Sequence, residues 1–247
     1  MKARAMILAA GRGERMRPLT DVTPKPLLPV QGKPLMQWPM EGLARGGFAR
    51  IVVNTGWLGD KIPAHYGDAH AVGDAGTVHI HYSHEGRGPG EALETAGGIA
   101  RALPHLDAVF WVAAGDVFAP DFRFTAEAHA RFAASGKLAH LWLVPNPAHN
   151  PTGDFAIADD GRALNVAADA AIPRLTFSTI ALYRAEFFAP PHCDIPVGNP
   201  QGLRVALAPL LRTAMDAGRV SAERYDGRWA DVGTPERLAQ LNAAAQP

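Results

Sequence analysis

The chain has 247 residues, with 24 basic and 24 acidic side chains that give a formal net charge of zero. This length fits one elaborated α/β domain, and the balanced charge excludes a global field that would attract nucleic acid or an anionic membrane. The single cysteine excludes an internal disulfide framework and is compatible with a reducing compartment. The first apolar run is too short for a signal peptide, and no run reaches the ~20 residues that span a bilayer. We therefore expect a soluble, cytoplasmic protein whose partners include neither nucleic acid nor membrane.

The first predicted element is a short buried strand over residues 6–10, followed by a turn that contains Gly11 and Gly13. Glycines let the backbone approach a ligand closely, so that amide groups face whatever binds there. Two prolines hold Lys25 in an extended stretch. Three cations follow the turn: Arg15, Arg17 and Lys25. A glycine turn ringed by cations suits a polyphosphate, and a tight turn with a solvated basic rim is the alternative.

Two common phosphate-binding loops do not match this segment. The dinucleotide fingerprint needs a third glycine and a helix start where the chain has Met16 and then Pro18. The nucleoside-triphosphatase loop needs Gly-Lys-Ser/Thr, which the segment lacks. The segment instead resembles the signature of the sugar-phosphate nucleotidyltransferases, which it follows over Leu8-Ala9-Ala10-Gly11-x-Gly13-x-Arg15-x-x-Pro18-Leu19-Thr20 and Thr23-Pro24-Lys25-Pro26. The resemblance implies that Leu8, Ala9, Ala10, Gly11 and Gly13 bind the nucleotide, that Arg15 holds the departing pyrophosphate and that Lys25 neutralises the α-phosphate.

Strand and helix patterns alternate through the next segment, which predicts parallel strands joined by crossover helices. In order, the patterns predict a helix over 34–45, a strand over 51–53 and a short helical segment over 57–66. Residues 78–82 alternate between apolar side chains and histidines, the period-2 pattern of a half-buried strand. His79, His81 and His84 could form a metal cluster. No further ligand lies nearby in sequence, so we favour histidines that face the less buried side of the strand.

A glycine-rich loop over residues 85–93 leads into a helix for which Thr95 is the expected N-cap. Small residues in the first turn would let a flat ring or a phosphate lie against the helix start. Residues 93–98 resemble a Leu-Glu-Thr-x-Gly-Gly form found in uridylyltransferases of the family, and residues 87–90 are inserted relative to that form. The resemblance implies that the nucleotide is also bound by Glu85, Gly86, Thr95 and Gly97.

An apolar run over residues 108–114 predicts a central strand that ends in Gly115-Asp116. Ligands bind at the carboxyl ends of parallel strands, where an aspartate can hold a divalent cation or cap a turn. The family has a metal aspartate in such a Gly-Asp pair after its fourth strand. The resemblance therefore implies metal binding by Asp116 and a nucleotide contact by Gly115, although Ala114 stands where the family often has asparagine.

A helix over 125–134 and a strand over 138–144 are predicted next, and turns and short strands predominate from residue 146 onward. Strands are predicted over 154–157 and 175–180. The family binds its sugar phosphate in this half, which implies sugar-binding roles for Asp154, Thr176 and Ser178. A second lysine of many relatives is missing here. Arg174 or Arg204 could replace its charge, but each also fits an ordinary surface residue.

A predicted helix over 207–217 precedes the run Trp229-x-Asp231-x-Gly233-Thr234. Thr234 followed by proline is a helix-start signal by itself, so the last helix does not need Asp231 to begin. This run resembles the segment that carries the second metal aspartate of the family. Two carboxylates together with phosphate oxygens suit magnesium, which keeps waters and rarely takes a full protein cage. The cofactor implied is Mg²⁺, held by Asp116 and Asp231.

Together these features predict a three-layer αβα, Rossmann-like nucleotidyltransferase fold with a mostly parallel central sheet and a small sugar-binding subdomain. We expect one domain over residues 1–247, with a nucleotide-binding half at 1–145 and, at 146–247, a sugar-phosphate-binding half with the closing helix. The protein is expected to be a monomer or a small homo-oligomer. The substrates implied are a nucleoside triphosphate and a sugar 1-phosphate, which react without a covalent enzyme intermediate.

The loop at 93–98 and the segment at 176–180 are most similar to muramate-type uridylyltransferases of cell-wall recycling, which implies UTP as the nucleotide. A mannose 1-phosphate guanylyltransferase and a glucose 1-phosphate thymidylyltransferase are the alternatives within the family. A non-catalytic nucleotide-sugar sensor and a metal-dependent glycosyltransferase are alternatives from other classes.

Overall fold

The protein is built around one eight-stranded sheet, and the computed structural model has helices packed on both faces of that sheet. The structure describes residues 2–86 and 91–243, so the predicted insertion at 87–90 lies outside the described residues. The strands, in chain order, are β1 (Ala3–Ala9), β2 (Pro29–Val30), β3 (Lys33–Pro34), β4 (Arg50–Thr55), β5 (Ala69–Ala71), β6 (Thr77–His84), β7 (Leu106–Ala114), β8 (Val117–Phe118), β9 (Ala139–Val144), β10 (Ala156–Ile157), β11 (Ala163–Leu164), β12 (Thr176–Arg184), β13 (Val220–Arg224) and β14 (Ala230–Asp231). The helices are α1 (Leu19–Val22), α2 (Gln37–Arg45), α3 (Lys61–Tyr66), α4 (Glu94–Ala102), α5 (Ala126–Ala134), α6 (Leu207–Asp216) and α7 (Pro235–Ala243).

The central sheet has the strand order β13-β9-β12-β7-β1-β4-β6-β5. Strands β7, β1, β4 and β6 are consecutive neighbours and run parallel, as do β9 and β13. Strand β12 is antiparallel to its neighbours β7 and β9, and β5 is antiparallel to β6 at the edge. The predicted three-layer α/β fold with a mostly parallel sheet is confirmed. Four adjoining parallel strands present their carboxyl ends along one edge, which is where ligands bind in such sheets.

The alternation of side chains along the central strands divides the core into two layers. Met6 of β1 and Phe110 of β7 pack in the layer that contains residues of α4 and α6. Ile7 of β1 and Trp111 of β7 pack in the layer that contains residues of α2, α3 and α5. All four of these side chains have zero exposed surface, and burying each one contributes roughly 1.5–3 kcal/mol. The strands therefore form a rigid platform between two apolar layers.

A third apolar cluster joins the two ends of the chain. Met16 and Leu28, from the segment after β1, pack with Phe118 of β8 and with Val232 and Leu238 near the C-terminus. This packing holds the N-terminal segment against the short β8–β14 pair. Residues from positions 16 and 238 therefore lie at the same edge of the molecule.

Several predicted boundaries differ from the structure. Helix α2 begins at Gln37 because Lys33–Pro34 form β3, which leaves Pro39 in the first turn, where proline is tolerated. Residues 57–60 form a turn, so only the second part of the predicted segment is helical. The predicted strand over 154–157 is reduced to β10.

The prediction that Thr95 caps α4 was wrong. The helix begins at Glu94, the N-cap position is Leu93, and no side chain caps it. The amide groups of Ala96 and Gly97 instead donate to the carbonyl oxygen of Val205, at 3.0 and 3.1 Å. A distant backbone carbonyl satisfies the first turn, so a side-chain cap is unnecessary.

The alternation predicted for residues 78–82 is confirmed. Val78 and Ile80 of β6 are buried, whereas His79 and His81 lie on its exposed side. The ring nitrogen Nδ1 of His84 lies 2.6 Å from the hydroxyl of Thr55.

Strands from both predicted halves belong to the same sheet, because β12 lies between β7 and β9. The chain is thus joined in the sheet as well as in sequence. Among the described helices, none is both long enough and apolar enough to span a membrane.

Candidate active site

A cavity of about 740 Å³ opens where β1, β4 and β7 end. Its walls come from the N-terminal loop, from the start of α4, from residues 154–155 and 177–183, and from helix α6. Residues of both predicted halves therefore face one space. The cavity walls include these residues of the predicted site: Leu8, Ala9, Ala10, Gly11, Lys25, Glu85, Thr95, Asp116 and Asp154.

The two glycines of the N-terminal loop have different environments. Gly13 has a φ of +64°, and a Cβ there would lie 3.1 Å from Cγ2 of Thr20, so the turn itself requires glycine. A Cβ on Gly11 would have no described atom within 4 Å, and Gly11 lines the cavity. Gly13 thus shapes the loop, whereas Gly11 leaves the backbone open to a ligand.

Arg12, which the sequence did not single out, fixes this loop. Its Nη1 donates to the carbonyl oxygen of Thr20 at 2.9 Å, and its Nη2 pairs with Oδ1 of Asp21 at 2.8 Å. The guanidinium lies over the ring of Trp57, 3.9 Å from the ring centre, as in a cation–π contact. The hydrogen bond from Arg12 holds the pKa of the Asp21 carboxyl below its usual range. Arg12 therefore has a structural role in holding this loop.

Arg15 follows Arg12 closely in sequence but has a different environment. It belongs to a short 3-10 helix of one turn, Glu14–Met16, and is exposed. Arg17 pairs with Asp21 at 2.9 Å, whereas Arg15 forms no hydrogen bond or ion pair with the described residues. Arg15 does not line the cavity, so the structure does not bring this predicted catalytic residue together with Lys25 and Asp116.

Lys25 and Asp116 meet in the cavity. Nζ of Lys25 lies 2.5 Å from Oδ2 of Asp116, although the two residues are 91 positions apart. The lysine side chain is only 12% exposed, so its charge needs a partner, and the aspartate is 37% exposed. The pair places one cation and one carboxylate together at the carboxyl end of β7.

The two predicted metal aspartates are brought together by the β8–β14 pair. Asp231 is paired with Val117, the residue after Asp116. The amide of Val232 also donates to the carbonyl oxygen of Asp116 at 3.0 Å. The backbones that carry the two carboxylates are therefore direct neighbours, although Asp231 is not among the residues that line the cavity.

Asp231 has structural partners that were not predicted. Both of its carboxylate oxygens accept hydrogen bonds from Nη1 of Arg237 at 2.7 Å, and its Oδ1 lies 2.8 Å from Nε2 of His149. Arg237 lies in the first turn of α7, and its spacing from Asp231 in sequence could have indicated the pair. A Cβ on Gly233 would lie 2.9 Å from that Nη1, so the glycine leaves room for the pair.

A buried polar network supports the other side of the N-terminal loop. Oδ1 of Asn54 accepts a hydrogen bond from the Ala9 amide at 2.7 Å, and its Nδ2 donates to Oε1 of Glu85 at 2.6 Å. Oε2 of Glu85 accepts from the Leu93 amide at 2.8 Å. Burial raises the pKa of the Glu85 carboxyl, and these hydrogen bonds oppose the effect only in part. Glu85 therefore connects β1 and β4 to the start of α4.

At three positions that were predicted to contact the nucleotide, close packing within the protein explains why the residue is glycine. A Cβ on Gly97 would lie 2.5 Å from the carbonyl oxygen of Leu203, and one on Gly115 would lie 2.9 Å from that of Leu8. A Cβ on Gly86 would lie 2.5 Å from Cβ of Glu91. Of the described residues that line the cavity, none is one of these glycines, whereas Thr95 is included.

The predicted sugar-binding residues are divided between the cavity and the core. Asp154 lines the cavity, where Oδ2 accepts from the Phe177 amide at 2.8 Å. Thr176 is buried and donates to Oδ1 of Asn146 at 2.9 Å. Ser178 is fully buried and donates to the carbonyl oxygen of Trp142 at 2.6 Å. These contacts favour structural roles for Thr176 and Ser178, whereas the neighbouring Thr179 faces the cavity.

Other residues of the cavity wall were not predicted from the sequence, including Asn54, Thr179 and Arg212. Asn54 is a polar residue directly after an apolar strand run, which is a usable signal. Arg212 follows Leu211 on α6, and the cavity also contacts Leu207 and Ala208 of the same helix face. An arginine on the apolar face of a helix could have been noticed from that spacing.

Comparison with known proteins identifies the relatives of this chain. The sequence model of the nucleotidyl transferase family matches residues 4–246. An N-acetylmuramate alpha-1-phosphate uridylyltransferase of Neisseria meningitidis is 47% identical, with 98% of each chain covered. Another protein of that name, from Caulobacter vibrioides, is 31% identical over 98% of this chain and 96% of its own length.

Among solved structures, a candidate glucose-1-phosphate thymidylyltransferase of Bacillus anthracis superimposes with a TM-score of 0.77 at 20% identity. It covers 98% of this chain and 95% of its own, which supports the fold assignment. The sequence matches extend over nearly the whole chain. The chain is therefore an enzyme that belongs to the nucleotidyl transferase family.

Proposed function

We propose that the protein joins UTP to N-acetylmuramate 1-phosphate, with a UDP-sugar and pyrophosphate as products. The observation that carries the proposal is a single cavity that contacts both the Lys25–Asp116 pair and residues of the second half such as Asp154. Two anionic reactants can meet only where their charge is neutralised, and Lys25 together with a metal ion held by the aspartates would supply that neutralisation here. The choice of substrates draws on the name of the Neisseria meningitidis relative, which is 47% identical over nearly the full length.

The nucleotide would bind along the N-terminal loop. Leu8, Ala9, Ala10 and Gly11 line the cavity, and the open space at Gly11 allows a ligand to approach their backbone. The Asn54–Glu85 network holds the end of β1 and the start of α4 at fixed positions. Thr95, which lines the cavity, would contact the base of the nucleotide.

The reaction needs no covalent enzyme intermediate. An oxygen of the sugar phosphate attacks the α-phosphorus of UTP and forms a new P–O bond. The bond from that phosphorus to the bridging oxygen breaks, and pyrophosphate leaves with the electron pair. Lys25 would neutralise the charge that develops on the α-phosphate, and the exposed Arg15 would hold the pyrophosphate.

The donor set fits a magnesium ion. Two aspartates on adjoining backbone segments supply hard carboxylate oxygens, and magnesium takes its remaining ligands from water and phosphate. Asp116 and Asp231 would hold the ion, which would neutralise the nucleotide phosphates when bound. Both carboxylates already have cationic partners, because Asp116 pairs with Lys25 and Asp231 pairs with Arg237. Each of the two aspartates therefore has one cationic partner before any substrate enters.

The sugar 1-phosphate would occupy the part of the cavity bounded by the second half of the chain. Asp154 is the predicted sugar-binding residue that faces this space, and Thr179 lies beside it. Thr176 and Ser178 would support them from the core. Because UTP is a cytoplasmic metabolite, the proposal also places the reaction in the cytoplasm.

A panel of substrate pairs tests the proposal through pyrophosphate release. UTP, GTP and dTTP would each be combined with N-acetylmuramate 1-phosphate, mannose 1-phosphate and glucose 1-phosphate, with magnesium present. We expect the highest kcat/KM for UTP with N-acetylmuramate 1-phosphate. Preference for GTP with mannose 1-phosphate, or for dTTP with glucose 1-phosphate, would overturn the substrate assignment. Nucleotide binding without turnover of any pair would indicate a sensor.

A further inference from the structure

The cavity contains more acidic than basic side chains, and its two described cations differ in their partners. The acidic residues of its wall are Glu85, Glu94, Asp116 and Asp154, and the basic ones are Lys25 and Arg212. Lys25 is paired with Asp116. Arg212 forms no ion pair with any residue in the described ranges, so it is the cavity cation there without a carboxylate partner.

Arg212 is held in place by neutral groups. Its Nη1 donates to Oδ1 of Asn165 at 2.6 Å, and its guanidinium carbon lies 5.2 Å from the centre of the Phe155 ring. Nδ2 of Asn165 in turn lies 3.2 and 3.3 Å from the two carboxylate oxygens of Asp216. The nearby acid is thus bonded to the amide, and the amide orients the guanidinium without neutralising it.

The surroundings of Arg212 favour binding of an anion over continued hydration. Leu207 and Leu211 of the same helix and the buried ring of Phe155 line the cavity beside it. A ligand that fills this space removes water from the guanidinium, which is costly unless the ligand supplies a negative group. A guanidinium binds a planar carboxylate through two parallel hydrogen bonds, which gives both strength and orientation.

We infer that Arg212 is a specificity-determining residue that binds the carboxylate of the sugar substrate. This inference rests on the proposed function, since N-acetylmuramate carries a carboxylate on its lactyl substituent. The 1-phosphate of the same sugar has to reach the α-phosphorus, where Lys25 and Asp116 lie. Arg212 instead lies on α6, against Phe155 and Asn165 of the sugar half. The enzyme would thereby discriminate between sugar 1-phosphates that carry a carboxylate and those that do not.

The test compares two sugars of nearly the same shape. One is N-acetylmuramate 1-phosphate, and the other is its carboxamide analogue, in which the carboxylate is an uncharged amide. We expect the wild-type enzyme to prefer the acid about 10- to 100-fold in kcat/KM, the range for a charge-assisted hydrogen-bonded pair. In Arg212→Gln the acid should fall to the level of the amide, while turnover of the amide stays within about threefold. Arg212→Lys should keep part of the preference because it keeps the charge.

Arg219→Gln is the matched control, because Arg219 donates to the carbonyl oxygen of Gly136 and does not line the cavity. It should leave the acid-to-amide ratio unchanged. An equal loss on both sugars in Arg212→Gln would overturn the inference, since it would indicate a role at the shared phosphate or in folding. An unchanged ratio would overturn it as well. Failure of the wild-type enzyme to use N-acetylmuramate 1-phosphate at all would instead refute the proposed function.

Discussion

The two sides of the cavity are built in different ways. On the nucleotide side, consecutive residues 8–11 at the end of β1 supply the wall, and Arg12 and Gly13 fix their loop. On the sugar side, the wall comes from separate segments: Asp154, Thr179 and Arg212 belong to a turn, a strand and a helix. A contiguous loop preserves its spacing in sequence, whereas a wall assembled from separate segments does not. The nucleotide side could therefore be predicted as a motif, and the sugar side depends on the fold.

The proposed reaction takes place at Lys25 and Asp116, so the largest loss of activity is expected there. Asp116→Asn should lower kcat about 10²- to 10³-fold, because it removes a charge from the point where the reactants meet. Pyrophosphate release measures the effect. Asp121→Asn is the control, since Asp121 is exposed and paired with Arg228, and it should retain nearly full activity. A loss below threefold in Asp116→Asn would refute the proposed role.

A smaller but still large effect is expected from the partner of that aspartate. Lys25→Gln should lower kcat about 10²-fold, because the α-phosphate loses its neutralising group. The double variant with Asp116→Asn should lose less than the product of the two single losses, since the side chains are in contact. Lys137→Gln, whose lysine donates to the carbonyl oxygen of Gly218, serves as the control. Fully multiplicative losses would show that the two groups act independently.

Gly11 in the N-terminal loop and Gly97 in α4 test whether the space beside a glycine serves a ligand or the packing of the protein. Gly11→Ala should change the free energy of unfolding by less than about 0.5 kcal/mol, because its Cβ meets no described atom within 4 Å. It should nevertheless raise KM for UTP about tenfold, the scale of one misplaced methyl group. Gly97→Ala should instead lose about 1–3 kcal/mol of stability, because its Cβ would lie 2.5 Å from the Leu203 carbonyl oxygen.

Urea unfolding and steady-state kinetics on both glycine variants make this distinction. A strongly destabilised Gly11→Ala protein would contradict the assignment of that space to a ligand. A Gly97→Ala protein of wild-type stability would show that the approach of α4 to residue 203 is looser than the structure indicates.

The smallest expected effect concerns the pH dependence of stability. Burial raises the pKa of the Glu85 carboxyl above its ordinary 4.5, so the unfolded chain releases this proton more readily than the folded one. The contribution of the protonated group is fully present below pH 4.5 and is lost as pH rises through the raised pKa. The free energy of unfolding of the wild type should therefore fall relative to that of Glu85→Gln as pH rises from 4.5 toward neutrality. Urea unfolding of both proteins across this range measures the difference, and a constant difference would contradict the prediction.

Sequence patterns predicted most of the strands and helices, and the predictions that failed have identifiable causes. The alternation in β6 and the apolar run of β7 were sufficient, because each strand buries its own side chains in the sheet. The cap of α4 was predicted wrongly because the Val205 carbonyl bonds its first amides, a contact that no local pattern contains. The partners of Asp231 were not predicted, because His149 lies far from it in sequence and only Arg237 lies nearby.

The sequence by itself determined the α/β order, the N-terminal loop and the two acidic motifs, because each depends on residues within a few positions of one another. Only the tertiary structure brought Asn54 to Glu85, Lys25 to Asp116 and Asn165 to Arg212, pairs that are 31, 91 and 47 positions apart. These contacts depend on which strands are neighbours in the sheet and on how α6 packs against it. Sheet order and helix packing are set by the burial of the whole core, which no short segment encodes.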